Sequence, residues 1–252
     1  MKRYNRIVHR WIFALTPFLS GVCSPAEAAQ RPWTEVQQIP AAAVACYVVG
    51  RAFLQVDTQG QFVAGQVVGY FTDINGIGAS DVLFNGTPDS PGFNPEQTAF
   101  FTFRSDVFSV TPLQNGDIGL DLTSTGTFNI YYNSKPDGDW CTPDTFSGDQ
   151  PFPGQPIAGF TRPEYLALAI LQSDVTNPPP FESISLHTLT ETLVSSQSFT
   201  FNGHRYDFST LVPGGVTLNE LASNTGVPGV TNFPVGFAYA GNCLAVEGGD
   251  RD

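Results

Sequence analysis

The chain has 252 residues, 41% of them hydrophobic, and carries 23 acidic against 11 basic side chains for a formal net charge of −12. That balance excludes the usual electrostatics of nucleic-acid binding and of docking on anionic membranes, which need clustered positive charge. It leaves enough apolar residues for a sizeable core, and a β-rich unit of this length is commonly a single domain.

Residues 1–29 read as a secretory leader. Lys2, Arg3, Arg6 and Arg10 form a basic n-region, residues 11–23 an apolar run too short to span a membrane, and Ala26 and Ala28 the small residues of a cleavage site. A secreted or periplasmic location is therefore expected. Cleavage would remove four basic residues and leave residues 30–252 as one β-rich domain, more acidic still. Cys46, Cys141 and Cys243 then remain. An oxidising compartment allows a disulfide, and an odd count leaves one thiol over. Cys46–Cys243 is the predicted pair because it ties together the two ends of the mature chain, with Cys46–Cys141 as the alternative. The spacing is too wide for a zinc motif.

In chain order, residues 30–40 are a polar arm and 43–56 a strand rich in Val, Tyr and Phe. Asp57-Thr58-Gln59-Gly60 turns it back onto a second strand over 61–72. A glycine- and proline-rich loop follows, with a short strand at 81–84. Residues 98–133 alternate with period two, the pattern of antiparallel strands with one wet face. Phe101 and Phe103, then Phe108 and Val110, precede a turn over 112–116. Ile118, Leu120 and Leu122 precede a turn over 124–126, and Phe128, Ile130 and Tyr132 close a four-strand meander. Residues 134–156 are a long surface loop dominated by Pro, Gly and Asp. Thr161 and Glu164 form a capping box before an apolar run, which predicts a buried helix near 162–172, stopped by the prolines of 177–180. A strand is expected over 183–200. Asn202-Gly203 between Phe199, Phe201 and Tyr206, Phe208 marks a hairpin with a type I′ turn. A second capping box, Thr217 to Glu220, predicts a short helix to residue 223, and residues 235–246 a last strand. The expected architecture is mainly β: an antiparallel β-barrel or β-sandwich of about eight to ten strands, with one packed α-helix near 162–172.

Candidate chemistry is sparse. Asp73, Asn75, Gly78 and Asp81 hold the first, third, sixth and ninth places of a calcium loop, but Ile77 and Phe84 stand at the fifth and twelfth, where acids belong. Asp137, Asp139, Asp144 and Asp149 surround Trp140, which suits either cation contact or sugar stacking; a solvated loop anchored by Trp140 is the default. Calcium is the one cofactor these loops suggest, and no dedicated metal set is visible. His187, with Ser185 and Glu191 on the same strand, and His204 are the candidate catalytic groups. No Gly-x-Ser-x-Gly, Ser-x-x-Lys or His-Glu-x-x-His motif accompanies them, so the sequence does not point to an enzyme. The 21 phenylalanines are core residues first, and in a barrel they can also line a cavity. The leading expectation is an exported barrel that binds a small apolar or aromatic molecule, with no nucleic acid, no membrane span and no stated oligomeric state. A carbohydrate-adhering or matrix protein without a pocket, and a barrel-interior cyclase or isomerase, are the alternatives.

Overall fold

The structure is a computed structural model that describes residues 36–247 except 89, 116–117, 148–153 and 171–183; for 114–115, 118–121, 165–170, 184–185 and 223–225 it describes the backbone alone. The leader, Asp149 and the helix-stopping prolines lie outside the described residues. In order, the strands are β1 (Val44–Val56), β2 (Phe62–Ile74), β3 (Phe101–Ser105), β4 (Phe108–Asn115), β5 (Ile118–Thr123), β6 (Gly126–Tyr132), β7 (Gln155–Arg162) and β8 (Tyr165–Ile170). They continue as β9 (Ile184–Ser196), β10 (Phe199–Phe201), β11 (His204–Tyr206), β12 (Val216–Val230) and β13 (Phe233–Ala245). Two four-residue helices, α1 (Pro95–Thr98) and α2 (Phe208–Leu211), lie outside the sheet.

Eight antiparallel strands close into a barrel in the order β1-β2-β3-β6-β7-β9-β12-β13, with β13 returning to β1. The three extra strands extend it. β4 pairs β5 in the register that β3 keeps with β6, and β5 pairs β8 in the register that β6 keeps with β7. Each couple is thus one long strand with a break. The four-strand meander expected over 98–133 is instead a single long hairpin: Pro112 lies inside β4, and 124–125 is a break, not a reversal. At the first break the Ser105 hydroxyl accepts from Val67 N at 3.0 Å while the Gln66 amide donates to Ser105 O at 3.1 Å, so polar side chains replace the missing rungs.

The predicted helix near 162–172 is a correction. Residues 165–170 form β8, hydrogen-bonded to β5 along its length. A short run that is apolar on all sides fits a buried strand as well as a buried helix, and β5 offered an unpaired edge to fill. The second predicted helix is also strand, part of β12, because Val216, Leu218 and Ala222 put period-two burial into the core between β9 and β13. Residues 81–84 contribute only the bridge Phe84–Ala99. The hairpin at Asn202-Gly203 is as expected: φ is +48° and +78°, and Phe199 stands opposite Tyr206.

The disulfide joins Cys46 and Cys243, which face each other across β1 and β13 with Cα atoms 5.1 Å apart; Cys141 is free and exposed. Four loop segments gather at the barrel end where β1 begins. Among them, 36–43 and 197–215 form a cap, joined where Ile39 N donates to Leu211 O at 2.9 Å. The cap is organised by Asp207, whose carboxylate accepts from the hydroxyls of Ser196, Ser198 and Ser209 and from Ser209 N at the start of α2. Burial opposes that charge, but the hydrogen bonds from Ser196, Ser209 and Ser198 more than offset it and pull the carboxyl down to about 2.

Candidate functional site in the barrel interior

Inward positions follow from the strand pattern. On β9, Leu189, Glu191 and Leu193 are buried while Thr188, Thr190, Thr192 and Val194 are exposed. On β12, Val216, Leu218 and Glu220 point the same way as Glu191. The interior has two zones of different chemistry.

The zone under the cap is aromatic. Phe103 stacks on Phe128 with ring centroids 5.0 Å apart, meets Phe71 edge-on at 5.4 Å, and Phe128 meets Phe160. These rings and the cap leave a small cavity of about 30 Å³. Ile39, Phe208, Leu211 and Val212 form its roof, the Cys46–Cys243 bridge part of its wall, and Glu220 is its one ionisable lining residue. The volume admits one or two waters or a few carbon atoms, far less than the roughly 300–1,000 Å³ of a drug-sized pocket.

Deeper in, charge appears. Arg162 and Glu191 are 3% and 1% exposed. The register of Thr161 opposite Thr192, carried one residue further, sets Arg162 beside Glu191. The Arg162 guanidinium lies 4.3 Å from the centroid of the Phe108 ring. A Cβ at Gly126 would come within 2.5 Å of Nη2, so a larger residue there would make the guanidinium shift. Two rungs from Glu191, His187 faces Glu220 across β9 and β12. Glu191 Oε2 has no hydrogen-bond partner among the described residues. Burial, then the neighbouring Glu220, push the Glu191 carboxyl up to about 8 despite the counteracting Arg162. Burial alone pushes Glu220 up to about 7 and His187 down to about 4. At neutral pH the belt therefore holds a protonated Glu191, a neutral His187 and the Arg162 charge.

Of the residues singled out in the sequence, His187 and Glu191 share the inward face of β9 two rungs apart, while His204 is exposed on the β10–β11 hairpin. Arg162 and Glu220 were missed because both were assigned to helix starts. The signal that reveals Glu220 is its even spacing from Val216 and Leu218. Trp140 is an anchor: its indole stacks on Phe146 at 4.7 Å, and the Arg51 guanidinium sits 4.6 Å above it. Tyr70 packs against the same ring at 5.9 Å. The surrounding loop is pinned to the outside of the barrel where Thr102 Oγ1 donates to Phe146 O, and where Arg104 pairs with Asp144 at 2.6 Å. Asp139 accepts from Cys141 N and the Thr142 hydroxyl, closing its own turn. Among the described residues the buried Asp137 oxygens have no hydrogen-bond partner, and burial raises that carboxyl. The Asn75 amide donates to Val44 O, and Asn75 N to Ala45 O, tying the 74–78 turn to β1 between Asp73 on β2 and the exposed Asp81. Among the described residues no three His, Cys, Asp or Glu side chains are grouped to hold a metal.

Comparison with known protein families, curated proteins and solved structures finds no match to this chain.

Proposed function

We propose that this is an exported barrel protein that takes a small apolar molecule into the aromatic zone beneath its cap. The carrying observation is the placement of the cavity: its walls are barrel strands, but its roof is built from segments outside the barrel ladder. Displacing Ile39 and Leu211 enlarges the space without breaking a barrel rung, whereas enlarging it sideways would break several. The Cys46–Cys243 bridge supports an oxidising compartment, in keeping with the leader-like N-terminus. A ligand that binds only the folded state raises stability by RT ln(1 + [L]/Kd).

The test is a titration of the purified protein with benzene and with indole, followed by methyl NMR and by thermal unfolding. Expected are shifts confined to the cavity-lining methyls, those of Ile39, Leu211, Val216 and Leu218 among them, with a rise in Tm. Val216→Ile adds one methylene at the cavity wall and should abolish both effects while leaving the protein folded. No methyl shift near probe saturation, or equal shifts in Val216→Ile, would reject the reading.

A further inference from the structure

The barrel exterior carries an uncharged patch that exposes two leucines and a tyrosine. Leu186 on β9 stands opposite Leu221 on β12, which stands opposite Ala240 on β13. The two leucines are 48% and 50% exposed. One rung towards the cap, the Thr188 hydroxyl donates to the Asn219 carbonyl at 3.3 Å and the Asn219 amide to Asn242 at 3.4 Å. That row ends on β1 at Tyr47, 47% exposed. One rung further, the Thr190 and Thr217 hydroxyls are 2.9 Å apart. Among the described residues these three rungs present no charged side chain from β9 to β1, and the first acid met is Asp73 beyond Tyr47 on β2.

We infer that this face is the contact between two copies of the chain. The charge distribution argues for that occupant. A cationic partner would be recognised through carboxylates, which the face lacks. A second copy carries the same excess of acidic charge and can approach closely only where neither surface is charged. The neighbouring hydroxyls and amides act as both donors and acceptors, so the face is complementary to itself, as a two-fold contact requires. Four strands spaced at about 4.8 Å, over rungs covering about 20 Å, give a footprint of about 400 Å² per copy before side-chain relief and rim. That is about 800 Å² in total, below the roughly 1,000 Å² of a stable specific contact, which implies a weak, concentration-dependent dimer. Because the bodies repel and the contact does not, added salt tightens it.

Sedimentation velocity across micromolar to millimolar protein, at low and high sodium chloride, tests this. The exported protein should show a dimer whose Kd falls as salt rises. Leu221→Glu should weaken association by more than about tenfold, because it places two like charges in a desolvated contact. Val107→Glu, at another exposed apolar position outside the patch, should dimerise as the parent does. Circular dichroism and Tm confirm that each variant is folded. A parent that stays monomeric throughout, or a folded Leu221→Glu that still pairs at the parent's Kd, overturns the inference.

Discussion

Glu191 makes the barrel sensitive to alkali in a way that can be read quantitatively. In the unfolded chain a glutamate ionises near its ordinary 4.5, whereas burial beside Glu220 holds the Glu191 proton up to about 8. Below 4.5 both states are protonated and the burial has no electrostatic cost. Between 4.5 and 8 the unfolded chain has released a proton that the folded barrel keeps, so every rise in pH favours unfolding. Each pH unit in that window lowers stability by about 1.4 kcal/mol, and the full loss is about 5 kcal/mol at its alkaline end. Glu220 adds a slope of the same sign that ends near 7. His187 opposes them: it stays neutral in the barrel down to about 4 while the unfolded imidazole gains a proton near 6.5, so its contribution is lost as pH falls through that range. The two carboxyls outweigh one histidine, and these groups together set an optimum near pH 4.5–5. The assay is urea unfolding across that range for the parent and Glu191→Gln. Glutamine beside Arg162 adds a constant cost, so the slope is the test: the variant's stability should fall less steeply, by about 1.4 kcal/mol per pH unit. Parallel pH profiles would refute the reasoning.

Two further outcomes follow from backbone and covalent geometry. Replacing Cys46 and Cys243 by serine in a Cys141→Ser background should cost about 5 kcal/mol on the chain-entropy account, since the bridge spans a sequence separation of 197; an unchanged urea midpoint would show that it restrains little. Gly203→Val should cost more than about 1 kcal/mol through its φ of +78° alone, because no atom lies within 4 Å of the position a Cβ would take. Thermal unfolding of both variants checks this, with Gly226→Ala, equally uncrowded but without positive φ, expected to be close to neutral.

Period-two alternation made the strands legible, and Asn202-Gly203 made one hairpin legible to the residue. Connectivity was less legible. The breaks at 106–107 and 124–125 look like turns in sequence, since Ser124 and Gly126 are turn formers, yet neighbouring strands keep one register through them. Only the partners decide whether a polar dipeptide reverses a chain or merely interrupts a ladder. The run over 165–170 failed for a related reason. Its capping box is a local preference worth about 1 kcal/mol, and a full edge of sheet hydrogen bonds overrides it. The cysteine pairing was readable because terminal strands must meet to close a barrel. Glu191 was readable as titratable, but its burial depends on Leu189 and Leu193 setting the phase of β9, which the sequence alone does not orient.

The two zones of the interior bear on each other. A purely aromatic barrel would be more stable without Arg162, Glu191 and Glu220, because removing charge from water costs more than an imperfect pair returns. Glycine at 126 clears space for the guanidinium, and glycine at 50 clears space for Tyr239, where a Cβ would lie 2.5 Å from the hydroxyl oxygen. The polar belt is therefore accommodated by its surroundings and not merely tolerated. Its carboxyls escape most of the burial penalty by staying protonated, and in that state they are hydrogen-bond donors. Glu220 belongs to both zones: it lines the cavity and raises the Glu191 carboxyl. A molecule entering under the cap meets an apolar wall with one neutral acid in it. Occupancy that excludes water from Glu220 strengthens protonation there and, through Glu220, lowers the repulsion felt by Glu191. Because the folded barrel then holds the Glu220 proton to higher pH, binding beneath the cap should extend the alkaline loss of stability, so the cavity and the belt act as one coupled site.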